Sequence, residues 1–176
     1  MVDRARVHAG MRVLVHAGAS VFATARAANA AYVRSIGATP IDYTTTSVGA
    51  YVAEHTGGDG FDLVYDTVGG TTLDASFAAV ARFGHVVSCL GWGTHALAPL
   101  SFKAGTYSGV FTLLPLLTGI GRERHGEILR EAATLVERGE LTPRIDPREF
   151  ALMDAADAHA ALTSGEAQGK IVVSVG

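Results

Sequence analysis

The residues of this chain best placed to take part in chemistry are small ones at the ends of apolar runs. Val68-Gly69-Gly70 follows FDLVYDT, and Gly91-Trp92-Gly93 follows HVVSCL. Turns of this kind let the backbone approach a ligand closely, because no Cβ stands in the way. Acids, bases and nucleophiles are present without a working arrangement. The seven histidines do not fall at metal-ligand spacing, and no G-x-S-x-G elbow accompanies the serines, so no metal site and no catalytic set is named. Asp66 stands alone at a strand end, suited to orienting a loop but not to forming an acid/base pair. His85 and His95 flank a strand and a loop and read as surface or loop residues. Cys89, the single cysteine, reads as a small core residue and excludes an internal disulfide or a cysteine-built metal cluster.

The elements that must position these turns follow from periodicity. Residues 61–91 read as strand, glycine turn, helix, glycine and strand. FDLVYDTV is a near-continuous apolar run, the pattern of a strand buried on both faces. Leu73, Phe77, Val80 and Ala81 then form one helical stripe, which Gly84 ends before the strand HVVSCL. Two parallel strands joined by such a crossover place ligands at their carboxyl ends. Elsewhere the pattern predicts strands at 11–17, 21–25 and 40–43, and helices at 29–36 and 47–55, the latter capped by Ser47. It further predicts a strand at 107–111, a helix over 122–138 with Gly139 past its end, a helix over 154–164 capped by Asp154, and a closing strand IVVSV.

Composition bounds the class. At 176 residues the chain is expected to form one domain, residues 1–176, burying roughly 70% of its unfolded surface. Apolar residues make up 48% and charged residues 18%, within the range of soluble globular domains. A net charge of −3 without a basic run argues against a nucleic-acid surface. The N-terminus lacks a signal-peptide core, and the apolar stretch 110–120 is too short to span a bilayer. The expectation is a soluble, cytoplasmic protein with no membrane or nucleic-acid partner.

Six blocks in order, VLVHAGA, VFATARAANAAYVRSIGATPIDY, FDLVYDTVGG, SGVFTLLPLLTG, HGEILREAATLVERGEL and GKIVVSV, resemble the medium-chain dehydrogenase/reductase superfamily, nearest its zinc-free, NADPH-dependent quinone oxidoreductase-like branch. The resemblance implies an α/β fold: a Rossmann-like, doubly wound, mostly parallel sheet. It implies NADPH as cofactor, and hydride transfer to a quinone or enone-like small-molecule acceptor. Carried over by position, Thr24, Arg26 and Tyr43 would lie by the adenosine 2′-phosphate, where Arg26 as a guanidinium fork suits phosphate. Val68 and Gly69 would lie under a ribose, Gly91 and Trp92 near the nicotinamide, and Val110 and Phe111 beside the nicotinamide ribose. Lys170 resembles a weaker C-terminal contact. The segment 107–113 would be an edge strand pairing with its mate in a homodimer.

Two departures from the pattern bear on function. About ten residues precede the first strand, where the family has a further domain forming one wall of the cleft. The Gly-rich turn and first crossover helix are also missing, since VLVHAG runs through Ala19-Ser20 straight into VFATA. Side-by-side parallel pairing of these two strands, as in the family, requires a return along the whole strand length, roughly 17 Å. Gly18-Ala19-Ser20 spans at most about 10 Å. That reasoning expects an antiparallel hairpin, one long strand, or loss of a strand from the sheet. Gly18-Ala19-Ser20 could at most form a small anion nest. The pyrophosphate anchor is therefore expected to be impaired. The alternative reading is a catalytically silent remnant or deletion form that folds and self-associates through its edge strand.

Overall fold

The computed structural model describes residues 12–14 and 20–175. They cluster into two compact units, one reaching Thr112 and one starting at Leu113, where the sequence reading treats the chain as one domain.

The first unit is a six-stranded sheet in the order β3-β2-β1-β4-β5-β6, and every pairing in it is parallel. Its strands are β1 (Arg12–Leu14), β2 (Ser20–Ala25), β3 (Thr39–Asp42), β4 (Phe61–Asp66), β5 (Val80–Ser88) and β6 (Thr106–Gly109). Helices α1 (Ala30–Ser35), α2 (Val48–Thr56) and α3 (Thr71–Ala79) supply crossovers, and the short α4 (Ala98–Ser101) precedes β6. This is the Rossmann-like α/β sheet expected from the alternating pattern. Because all strands run the same way, their carboxyl ends share one edge of the sheet.

The core forms where β4 and β5 are covered on both faces. Phe61, Leu63, Val64, Val86 and Val87 are fully buried, and Leu73 and Phe77 of α3 share one cluster with Phe61, Val64 and Val86. Ser47 caps α2 as expected, its hydroxyl accepting from the Ala50 amide at 3.3 Å.

Four expectations are corrected. The first concerns chain direction at Ser20: β1 and β2 are adjacent and parallel, with Arg12 opposite Ser20 and Val13 opposite Val21. The path closes because Ser20 stands opposite Arg12, only two residues back from Leu14. The return is then roughly 8 Å, and the five residues 15–19 span up to about 20 Å. Those five residues, with the possible nest at Gly18-Ala19, lie outside the described ones. Five residues still leave no length for a Gly-rich turn and a crossover helix, so the first crossover is missing as expected.

The second correction is the end of α3. The helix stops at Ala79, so Val80 and Ala81 begin β5 instead of extending the helical stripe. Phe61 pairs with Val80 but Leu63 pairs with His85, a bulge that absorbs the extra residues, with Phe83 at φ 60°. Lys103 holds this corner. Its ammonium donates to the carbonyls of Phe77 at 3.2 Å, Ala78 at 2.5 Å and Val80 at 2.6 Å, the end of α3 where a cation is favoured. Tertiary capping overrides the periodic pattern here.

The third correction is that β6 ends at Gly109, and Leu113–Thr118 is a helix, so the apolar tract does not continue as an edge strand. The fourth is that Asp154 does not cap the last helix with its side chain; its carboxylate accepts from the Ala151 amide at 3.2 Å.

The second unit contains helices α5 (Leu113–Thr118), α6 (Arg122–Glu137) and α7 (Ala155–Thr163), with the two-stranded parallel pair β7 (Phe150–Ala151) and β8 (Val173–Ser174). Its polar centre is Asp146. That carboxylate accepts from the Arg148 side chain at 2.8 and 3.0 Å and from the amides of Arg148 and Gln168 at 3.0 and 2.7 Å. The Arg148 guanidinium and these amides hold the Asp146 carboxyl well below the usual carboxylate range.

Two outcomes are expected. Phe61→Ala should destabilise the first unit by about 3–5 kcal/mol in urea titration, because a fully buried ring leaves a cavity between sheet and helix. For Asp146 the folded-state pKa lies below the ordinary value of 3.8. Its stabilisation is therefore complete above that value and lost as the pH falls below it. The difference in melting temperature between wild type and Asp146→Asn should be largest near neutrality and shrink at pH 3.

Candidate dinucleotide site at the carboxyl edge of the sheet

The end of β4 is organised by one buried carboxylate. Asp66 is 3% exposed. Its Oδ1 accepts from the amides of Val68 at 3.1 Å and Gly69 at 3.0 Å, and its Oδ2 accepts from Gly69 at 3.1 Å and from the Ser88 hydroxyl at 2.7 Å. Ser88 Oγ in turn accepts from the Leu90 amide at 3.1 Å. The backbone continues the link, with the Cys89 amide donating to Asp66 O at 3.2 Å and the Val110 amide donating to Ser88 O at 2.8 Å. The turns after β4, β5 and β6 are thus fastened to one another. A buried carboxylate is costly unless its oxygens are hydrogen-bonded, and here both are.

Glycine at 69 is required twice over. Its φ is 74°, and a Cβ built there would run into the Leu90 carbonyl oxygen. At 91 a Cβ would meet the Tyr107 hydroxyl, so the turn after β5 lies directly against β6. Val68 and Trp92 remain 66% and 61% exposed at this edge, and the Trp92 ring meets Phe111 edge to face at 5.5 Å.

At the other side of the sheet Arg26 Nε donates to Tyr43 Oη at 3.2 Å, joining the ends of β2 and β3. Both side chains are exposed, as is Thr24 on β2. This bond raises the Arg26 pKa, so the guanidinium is a fixed positive charge at that end. Asp42 lies at the end of β3, its Oδ1 accepting from the Thr44 hydroxyl at 2.6 Å and amide at 2.9 Å, which lowers its pKa.

The structure therefore brings Arg26 to Tyr43, Trp92 to Phe111, and Val68, Gly69 and Val110 into one hydrogen-bonded group. Lys170 belongs to the second unit, where it bridges to Ile145. Of the two histidines read as surface or loop residues, His95 does lie in a loop, while His85 is corrected, since it lies within β5. His85 is half-buried and its Nε2 lies 2.9 Å from Ser108 Oγ, while burial lowers its pKa. His95 has a side chain only 11% exposed, with Nδ1 2.8 Å from Asp74 Oδ1. Neither contact is visible in the sequence, because each joins residues more than twenty positions apart. Ser88, whose hydroxyl completes the Asp66 clamp, carries no sequence signal within its apolar strand.

Asp66→Ala should cost about 3–5 kcal/mol in urea titration, since it orphans the buried Gly69 amide, the part-buried Val68 amide and the Ser88 hydroxyl at roughly 1–3 kcal/mol for each buried group. Asp66→Asn, which can still accept from the turn amides, should cost clearly less.

A sequence model described as zinc-binding dehydrogenase matches residues 36–173. The crystal structure of an alcohol dehydrogenase superfamily protein from Novosphingobium aromaticivorans superposes with a TM-score of 0.94 at 52% identity, covering 99% of this chain and 59% of that one. A quinone oxidoreductase from Pseudomonas aeruginosa is 31% identical over 138 residues, which is 76% of this chain and 41% of its own length. A probable zinc-binding oxidoreductase, mitochondrial, from Arthroderma benhamiae is 28% identical over 148 residues, or 84% of this chain and 41% of its own. The chain thus spans about two fifths of these two curated relatives. The parallel sheet, its strand order and the match over most of the sequence have one conclusion: the chain belongs to the zinc-binding dehydrogenase family of the medium-chain dehydrogenase/reductase superfamily.

Proposed function

We propose that this chain is the dinucleotide-binding part of an NADPH-dependent oxidoreductase that passes hydride to a quinone or enone-like acceptor. The observation that carries the reading is the Arg26–Tyr43 pair at the ends of β2 and β3, on the same sheet edge as the fastened turns after β4, β5 and β6. A fixed guanidinium with a phenol beside it suits a phosphate ester, and no carboxylate ends β2 to favour an unphosphorylated ribose. Gly70 has nothing within 4 Å of where a Cβ would stand, leaving room above the turn after β4 for a ribose. A bound nicotinamide supplies the hydride; the chain binds, orients and shields it. Val68 and Gly69 would support a ribose, Gly91, Trp92, Val110 and Phe111 would line the nicotinamide end, and Thr24 would assist Arg26.

Among the described residues no three His, Cys, Asp or Glu side chains come together to hold a metal ion. No helix among them is long and apolar enough to cross a membrane.

With five residues between Leu14 and Ser20, the chain has no length for the Gly-rich turn and helix that would anchor a pyrophosphate. Affinity therefore rests on the two ends of the dinucleotide and is weakened. The same shortage favours the second reading, a catalytically silent form that self-associates as a homodimer through the 107–113 edge. Of that segment, residues 107–109 lie on the outermost strand β6.

Energy transfer from Trp92, the chain's one tryptophan, decides between them. NADPH should bind with a Kd on the order of 100 µM, about −5.5 kcal/mol, and more tightly than NADH. Arg26→Ala should weaken NADPH roughly tenfold and leave NADH unchanged. No signal at millimolar NADPH would overturn the enzyme reading. A monomer by sedimentation would overturn the edge-strand dimer.

A further inference from the structure

The segment between β5 and α4 carries no helix or strand, and from Leu90 to Pro99 every residue except His95 is exposed. Two side chains tether it. Trp92 rests on Phe111, and His95 reaches across to α3, where Nδ1 lies 2.8 Å from Asp74 Oδ1. The imidazole stands edge-on to the buried Phe77 ring at 6.4 Å and 89°. With Leu73, Phe77, Tyr107, Gly91 and Gly93 it walls a cavity of about 250 Å³.

The other ring nitrogen tells what the histidine is for. His95 Nε2 is shut off from solvent and has no hydrogen-bond partner, close to where a Cβ on Gly93 would stand, at 3.6 Å. A buried polar atom without a partner is a net cost, so an apolar ring would fill this space better. What the imidazole adds is the Nδ1 bond to a carboxylate that is half exposed and therefore loses little hydration by accepting it. Asp74 is the charged group facing it, and Tyr107 the other ionisable wall residue.

We infer that the His95–Asp74 pair is a positioning latch, which holds the Gly91-Trp92-Gly93 turn against α3 so that the nicotinamide end of the dinucleotide meets a wall already in place. The inference rests on the cofactor reading above. His95 is a positioning residue: it acts through the turn and touches neither cofactor nor acceptor. A preformed wall raises affinity by removing the cost of ordering the turn on binding.

Calorimetric titration with two ligands separates this role from general stability. NADPH has both ends of the dinucleotide; 2′-phospho-ADP-ribose lacks the nicotinamide. His95→Ala and Asp74→Ala should each weaken NADPH roughly tenfold and leave the fragment unchanged, and the double variant should lose no more than either alone. His95→Asn should recover most of the loss, because its amide nitrogen stands near the place of Nδ1. Time-resolved anisotropy of Trp92 in the ligand-free chain should show faster local motion in the two alanine variants and wild-type motion in His95→Asn. Equal weakening of both ligands, unchanged NADPH affinity, or failure of asparagine to rescue would overturn the latch. If the wild type binds neither ligand, the cofactor reading falls, and the Trp92 anisotropy alone decides the latch: unchanged motion in His95→Ala rejects it.

Discussion

The carboxylate of Asp66 lies at the one point where three parallel strands deliver their turns to the same edge, and the arrangement of that edge depends on it. Removing a carboxylate from water is expensive, and the cost is offset only because each oxygen finds donors: two turn amides and the Ser88 hydroxyl. Those donors are also what needs holding. The amides of Val68 and Gly69 have no ladder partner past the end of β4, and the Leu90 amide is in the same position past β5. One buried anion satisfies the first pair directly and the third through a hydroxyl. The turn then requires glycine at 69, because the closeness that makes these bonds leaves no space before the Leu90 carbonyl.

The opposite edge of the sheet is held by the complementary charge. Lys103 draws together the last carbonyls of α3 and the first of β5, and burial lowers its pKa. Helix α3 is therefore pinned at its carboxyl end by an ammonium, and it leaves the β4 turn at its amino end. A rigid α3 gives the segment after β5 something fixed to lean on. The placement of Trp92 follows from that chain of supports, through Phe111 on one side and the His95–Asp74 pair on the other.

The shortened first connection shows how little a parallel pair needs. Parallel neighbours ordinarily demand a long crossover because the chain must travel back along the strand. With Ser20 opposite Arg12 the return from Leu14 is short, and β1 keeps its place between β2 and β4. Five residues between Leu14 and Ser20 thus suffice for a parallel neighbour, while leaving no length for a crossover helix.

Much was legible in the sequence by itself. The buried strand FDLVYD, the Ser47 cap, the glycine turn at 69–70 and the parallel α/β class all follow from local pattern, since burial on two faces and capping leave marks in neighbouring residues. Arg26 and Tyr43 could be named by resemblance, seventeen positions apart. What the tertiary structure alone decided are contacts whose partners are distant in the chain and whose residue types are unremarkable: Ser88 on Asp66, His95 on Asp74, Lys103 on the end of α3. It also decided the register and direction of β2 against β1, because strand pairing is a property of two segments and the pattern of one segment cannot set which of its residues will pair.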